Sequence, residues 1–190
     1  MEPKAYQLKV TLRGTRPPIW RRLEVRGDTT LLNLHHTLQV AMGWTDSHMH
    51  QFVARGKYFG TPDPEFPVDR ESDRRVRLDQ VLGKPKDRMV YEYDCGDGWE
   101  HDVVVEKVMP VAPGRGRYPL VTGGKRACPP EDSGGVPGYY HLLEVLKNPK
   151  HPDHKEMLEW RGGAYEPEAF DVQEVNRAFH GGWGPSRPHA

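Results

Sequence analysis

The chain is poor in cysteine, with two in 190 residues, Cys95 and Cys128, and no CxxC spacing. That excludes a disulfide framework and the closed cysteine-based zinc motifs. Charge excess is also missing, since 27 basic side chains balance 27 acidic ones. A dedicated nucleic-acid binder carries surplus lysine and arginine to neutralise phosphates, so DNA or RNA is a disfavoured partner and any basic surface is local. No apolar run approaches membrane-spanning length, and the opening "MEPKAYQLKV" lacks an apolar signal core. The expectation is a soluble, cytoplasmic chain without a membrane partner. There is no GxxxxGK[ST], GxGxxG or GxSxG, which disfavours phosphate-loop nucleotide binding and a serine nucleophile elbow. Apolar residues make up only 36%, while 20 glycines and 18 prolines punctuate the chain. A compact core with long, stiffened loops follows, in one domain over residues 1–180 with a flexible tail at 181–190.

Against those absences, the periodic segments are clear. Tyr6, Leu8, Val10 and Leu12 alternate with polar residues, the pattern of a half-buried strand. After "GTRPP", residues 19–26 resume an extended pattern, giving a first hairpin. Leu31, Leu34, Leu38, Ala41 and Met42 recur at helical spacing between a cap at Asp28 or Thr29 and a stop at Gly43. "WTDSHMHQFVARGKYFG" reads as a turn and a strand, and residues 89–108 as a second hairpin. Residues 110–138 are expected to form a long Gly/Pro-rich loop, a feature that carries function when it occurs in a compact domain. Helical patterns at 139–147, 153–160 and 172–179 close the chain. The fold class is therefore α+β: an antiparallel or mixed sheet from two hairpins around one helix, with a helical C-terminal section.

Three short stretches concentrate chemistry. In "YEYDCGDGWEHDVVV", Asp97-Gly98 suits a two-residue type I′ turn, which would set Asp94 opposite His101. A register shifted by one sets Glu92 there instead. Either way a carboxylate meets the imidazole, as in a general base with its orienter or a pair of metal ligands. In "HMH", His48 and His50 at i and i+2 would share one strand face. In "CPPEDSGG", two prolines fix the backbone ahead of Glu131 and Asp132. Together His48, His50, Asp94, Asp97, His101, Glu131 and Asp132 make a mixed nitrogen and oxygen set suited to a divalent metal. Each stretch also has an ordinary structural use: a turn, a packed histidine pair, a helix cap.

The same blocks carry a resemblance. "YQLKVTLRGTRPPIWRRLEV", "LHHTLQVAMGWTDSHMHQF", "YEYDCGDGWEHDVVVEKV" and "RACPPEDSGGVPGYYHLLEVL" resemble the plasmid pRiA4b ORF-3-like family over residues 5–180. The resemblance implies an α+β domain and an association with plasmids and mobile elements, and no established activity. The chain departs from the family pattern at Cys95 and Ser133, so no function resting on a cysteine pair carries over. A resolvase-type role finds no nucleophile set among arginines.

Three readings follow. One is a non-catalytic binding domain for a protein or peptide, whose groove would use Trp44, Trp99, Tyr139 and other aromatics. Another is a metal-dependent hydrolase in which Asp94, His101, Glu131 and Asp132 help to activate water. The last is a DNA-associated accessory factor using the arginines of residues 13–26, Arg21 and Arg22 foremost.

Overall fold

Alternation decides the first two strands. In β1 (Lys4–Leu12) the side chains of Tyr6, Leu8, Val10 and Leu12 are all buried, and in β2 (Trp20–Arg26) those of Arg21, Leu23 and Val25 are. The strands pair antiparallel, Leu8 opposite Leu23, so the apolar sets fall on one sheet face. The computed structural model describes residues 2–61, 69–111 and 117–181, so the expected tail lies almost wholly outside the described residues.

Helix α1 (Leu31–Met42) covers that face. Thr30 caps it by accepting the Asn33 N–H at 3.2 Å, and Gly43 stops it at φ 87°. Its buried stripe is the apolar set read from spacing, joined by His35 and Gln39. Next come β3 (His50–Ala54), β4 (Lys57–Gly60), β5 (Arg70–Ser72) and the single turn α2 (Leu78–Val81). The second hairpin is β6 (Arg88–Tyr93) with β7 (Trp99–Pro110).

The expected long loop at 110–138 contains one more strand, β8 (Leu120–Lys125). Among the described residues, eight strands form one mixed sheet in the order β5-β4-β3-β6-β7-β1-β2-β8, with β4 and β5 parallel. Helices α3 (Gly135–Lys147), α4 (His154–Arg161) and α5 (Val172–His180) complete the α+β fold. Helix α5 packs on β8, where the Asn176 side-chain amide accepts the Val121 N–H at 2.8 Å and donates to its carbonyl at 2.9 Å. That side chain stands in for a ninth strand at this position and blunts the sheet edge. Among the described residues, no helix is long and apolar enough to cross a membrane.

One end of the sheet gathers three connections: α1 to β3, β6 to β7, and β8 to α3. The last two interlock at glycine. A Cβ on Gly135 would lie 2.4 Å from the Asp97 carbonyl oxygen, and Gly135 has φ +67°. Only glycine fits where the two loops touch.

Candidate metal centre

The β6–β7 connection is not the two-residue turn that Asp97-Gly98 suggested. Tyr93 pairs with Trp99, Glu92 with Glu100 and Tyr91 with His101, leaving a five-residue loop from Asp94 to Gly98. The physical reason lies in Asp94. It adopts φ 58°, its carboxylate accepts the N–H groups of Gly96 (2.9 Å) and Asp97 (3.3 Å), and its carbonyl accepts from Gly98 at 2.7 Å. An aspartate that closes its own turn outcompetes the shorter one.

His101 therefore faces Tyr91 rather than a carboxylate, and it is completely buried. Its Nδ1 lies 3.3 Å from the Tyr91 carbonyl, its Nε2 has no partner, and the ring meets Trp44 edge-on at 5.3 Å. Burial holds its pKa down to about 4. This is a neutral core histidine, and it does not face Asp94.

His48 and His50 also part company. Strand β3 begins at His50, and His48 lies before it on the connecting loop. His50 Nε2 is 2.9 Å from Asp73, a fully buried carboxylate that sequence reasoning missed, and its ring stacks on His35 at 3.5 Å. Nothing in the sequence marks Asp73, because its partner sits 23 positions away on β3.

His48 goes instead to the loop cluster. Its Nε2 lies 3.2 Å from an Asp132 oxygen and 3.6 Å from an Asp94 oxygen, and one ligand atom from each residue falls within 4.8 Å of the others. Yet this buried nitrogen has no hydrogen-bond partner, so neither oxygen lies where a ring N–H would direct it. Metal–ligand bonds of about 2.0–2.2 Å set neighbouring ligand atoms roughly 3.0–3.5 Å apart around a tetrahedral or octahedral ion. The His48–Asp132 separation falls in that range and the His48–Asp94 separation just outside it. One imidazole and two carboxylates suit manganese, iron(II) or zinc and leave coordination positions open. Asp94 is held rigidly, whereas Asp132 is 70% exposed, at φ 58°.

The remaining acids brace this cluster. Asp97 accepts the Gly134 N–H with both oxygens, at 3.1 and 3.2 Å. Glu131 accepts from the Tyr93 hydroxyl at 2.5 Å and from the Thr45 N–H (3.1 Å) and hydroxyl (2.5 Å). Burial and that carboxylate raise the Tyr93 pKa, so it remains a donor. The hairpin loop and the 131–134 loop thus meet, with His48 between them.

A second group, His35, His36 and Asp46, also has metal-like proximity, but His35 and Asp46 are engaged in hydrogen bonds. The Asp46 N–H donates to Gln39 Oε1 (3.0 Å), which turns Gln39 Nε2 toward the Tyr91 hydroxyl (2.9 Å). That hydroxyl then donates to His35 Nδ1 (2.8 Å), leaving the proton on Nε2 to donate to Asp46 Oδ1 at 2.6 Å. The ring closes on itself with His35 neutral, in keeping with a pKa that burial lowers to about 2. Close approach makes His35 and Asp46 resemble an ion pair, but the imidazole carries no charge.

Comparison with known proteins now adds a family. The match to plasmid pRiA4b ORF-3-like protein runs over residues 4–174. The chain belongs to that family. It is 39% identical over 183 residues to the uncharacterised protein y4hQ of Sinorhizobium fredii, covering 94% of this chain and 92% of that one. It is also similar to the crystal structure of a protein of unknown function, MM3350 from Methanosarcina mazei Go1, with a TM-score of 0.83 and 36% identity over 92% of this chain and 99% of that one.

In this family member, the three aromatics named for a groove are core residues: Trp44 is 2% exposed, Trp99 and Tyr139 are 0%, while Tyr58 and Tyr140 remain exposed. Four of the five arginines in the basic segment are engaged or buried as well. Arg13 pairs with Glu100 and Asp102, Arg22 with Glu106, and Arg26 with Asp28, while Arg21 is buried. The Cys128 thiol is pushed up to about 11 by burial, which removes it as a nucleophile.

Proposed function

We propose that this family member is a metal-dependent binding domain. A divalent cation held by His48, Asp94 and Asp132 clamps the hairpin loop to the 131–134 loop and offers its open positions to a carboxylate or phosphate oxygen of a protein or peptide partner. The observation that carries this reading is the buried, unpartnered Nε2 of His48 between two carboxylate oxygens. A buried nitrogen left without a partner costs about 1–3 kcal/mol, which a bound cation would offset. Binding is favoured over hydrolysis because the neighbouring acids are engaged: Glu131 by Tyr93 and Thr45, Asp97 by Gly134. Neither has a lone oxygen poised to take a proton from water. The paired arginines give a DNA-associated role no support.

Equilibrium dialysis against manganese or zinc, followed by elemental analysis, tests the centre. Near-stoichiometric metal is expected in the wild type and its loss in His48→Ala, with weaker retention in Asp132→Asn. Wild-type protein that takes up neither ion would end the proposal. Metal-dependent turnover of a generic phosphodiester would replace binding by hydrolysis.

A further inference from the structure

A second site, sharing no lining residue with the metal cluster, surrounds Arg21. This side chain is 2% exposed, yet among the described residues it has no carboxylate partner, unlike Arg13, Arg22 and Arg26. Its Nε donates to the Ala41 carbonyl at 2.8 Å, and Nη1 donates to the carbonyls of Trp20 (2.9 Å) and Lys125 (3.1 Å). The Phe170 ring lies 4.0 Å from the guanidinium carbon. Nη2 has no acceptor among the described residues. The ionisable groups acting on this cation are the Cys128 thiol and the Tyr165 hydroxyl, both of which burial keeps neutral. A buried cation without a counter-charge is costly, and the end of helix α1 compensates it only in part.

Arg21 lines a cleft of about 550 Å³ between the end of α1 and residues 161–175. Arg161, on the same cleft, has a buried Nε without an acceptor. The walls near Arg21 are apolar, formed by Met42, Ala169, Phe170 and Val175. The exposed charged residues of the lining are of opposite sign: Glu166, Asp171 and Glu174. Asp171 is engaged in capping α5, but Glu174 has no such bond. The cleft is therefore polarised, cationic at its buried end and acidic at its mouth, with apolar walls between.

We infer that this cleft binds a small zwitterion, an α-amino acid with an apolar side chain. Its carboxylate accepts from Arg21 Nη2, its side chain lies against Phe170 and Met42, and its ammonium faces Glu174 and Glu166. The ligand itself supplies the counter-charge that Arg21 lacks.

Calorimetric titration of the full chain with L-leucine, leucinamide and N-acetyl-leucine tests this without altering the protein. Leucine is expected to bind, and each derivative, missing one charge, to bind at least about tenfold more weakly. Glu174→Gln, an exposed change that spares the fold, is expected to weaken leucine by a similar factor and leave N-acetyl-leucine unaffected. Failure of leucine, phenylalanine and methionine to bind at up to about 10 mM would overturn the inference. So would N-acetyl-leucine binding as tightly as leucine, because the acidic mouth would then have no role.

Discussion

The Tyr91 hydroxyl accepts one hydrogen bond from Gln39 and donates another to His35 in a closed ring through Asp46. Tyr91→Phe keeps the packing but leaves a buried amide donor and a buried imidazole acceptor unpaired. A loss of about 2–3 kcal/mol is expected, read from the urea midpoint at constant m. The two neutral core histidines also make stability depend on pH. Burial depresses His35 to about 2 and His101 to about 4, against an unfolded value near 6.5. On acidification the unfolded chain takes up protons that the folded chain refuses. Their contribution is complete above the unfolded value and falls from there toward the folded ones, by up to about 1.4 kcal/mol per pH unit for each histidine. Between roughly pH 6.5 and 4 both contribute, and below that only His35 does. His101→Phe, which suits the aromatic surround of Trp44 and Tyr91, is expected to roughly halve the slope in the upper window. An unchanged slope in urea titrations at pH 6 and 5 would remove His101 from this account.

At the scale of elements, the candidate site depends on two loops held apart by single atoms. A Cβ on Gly138 would lie 1.8 Å from the Ser133 carbonyl oxygen, so Gly138→Ala must push the first turn of α3 away from residues 131–134. A destabilisation of about 1–3 kcal/mol is expected, with loss of the metal uptake that depends on Asp132, measured by thermal melting and dialysis. Asp97→Ala removes only the tie to Gly134 and is expected to weaken metal uptake while the core remains intact. Here the sequence was legible wherever the determining pattern is local. Alternation marked β1 and β2, and helical spacing marked α1 and the C-terminal helices. Strand β8 escaped because "LVTGGK" carries two glycines and little apolar content. The second of them has a tertiary cause: the Phe170 ring occupies the space where a Gly124 side chain would be, 2.3 Å from its Cβ. The hairpin register escaped because Asp94, rather than Asp97, closes the turn. The same slip moved His101 into the core and hid the pairing of Asp94 with His48.

Across the whole molecule, the candidate cation joins residues that are far apart in the chain, at positions 48, 94 and 132. An ion bound only by the folded state stabilises it by mass action, about 2.7 kcal/mol at a hundredfold excess over its dissociation constant. For a chain of this length that corresponds to a rise in Tm of about 5–10 °C, reversed by a chelator. Asp132→Asn separates this from non-specific salt effects. The Asp132 side chain is 70% exposed and its contact of note is His48, so the metal-free Tm is expected to stay within about 1 °C of wild type. The rise with manganese or zinc should then shrink. Asp94→Asn differs, since its carboxylate also closes the hairpin loop, and it should lower the metal-free Tm as well. Equal stabilisation of wild type and Asp132→Asn by metal would place the ion elsewhere, because no other residue on the 131–134 loop offers a carboxylate free of a partner.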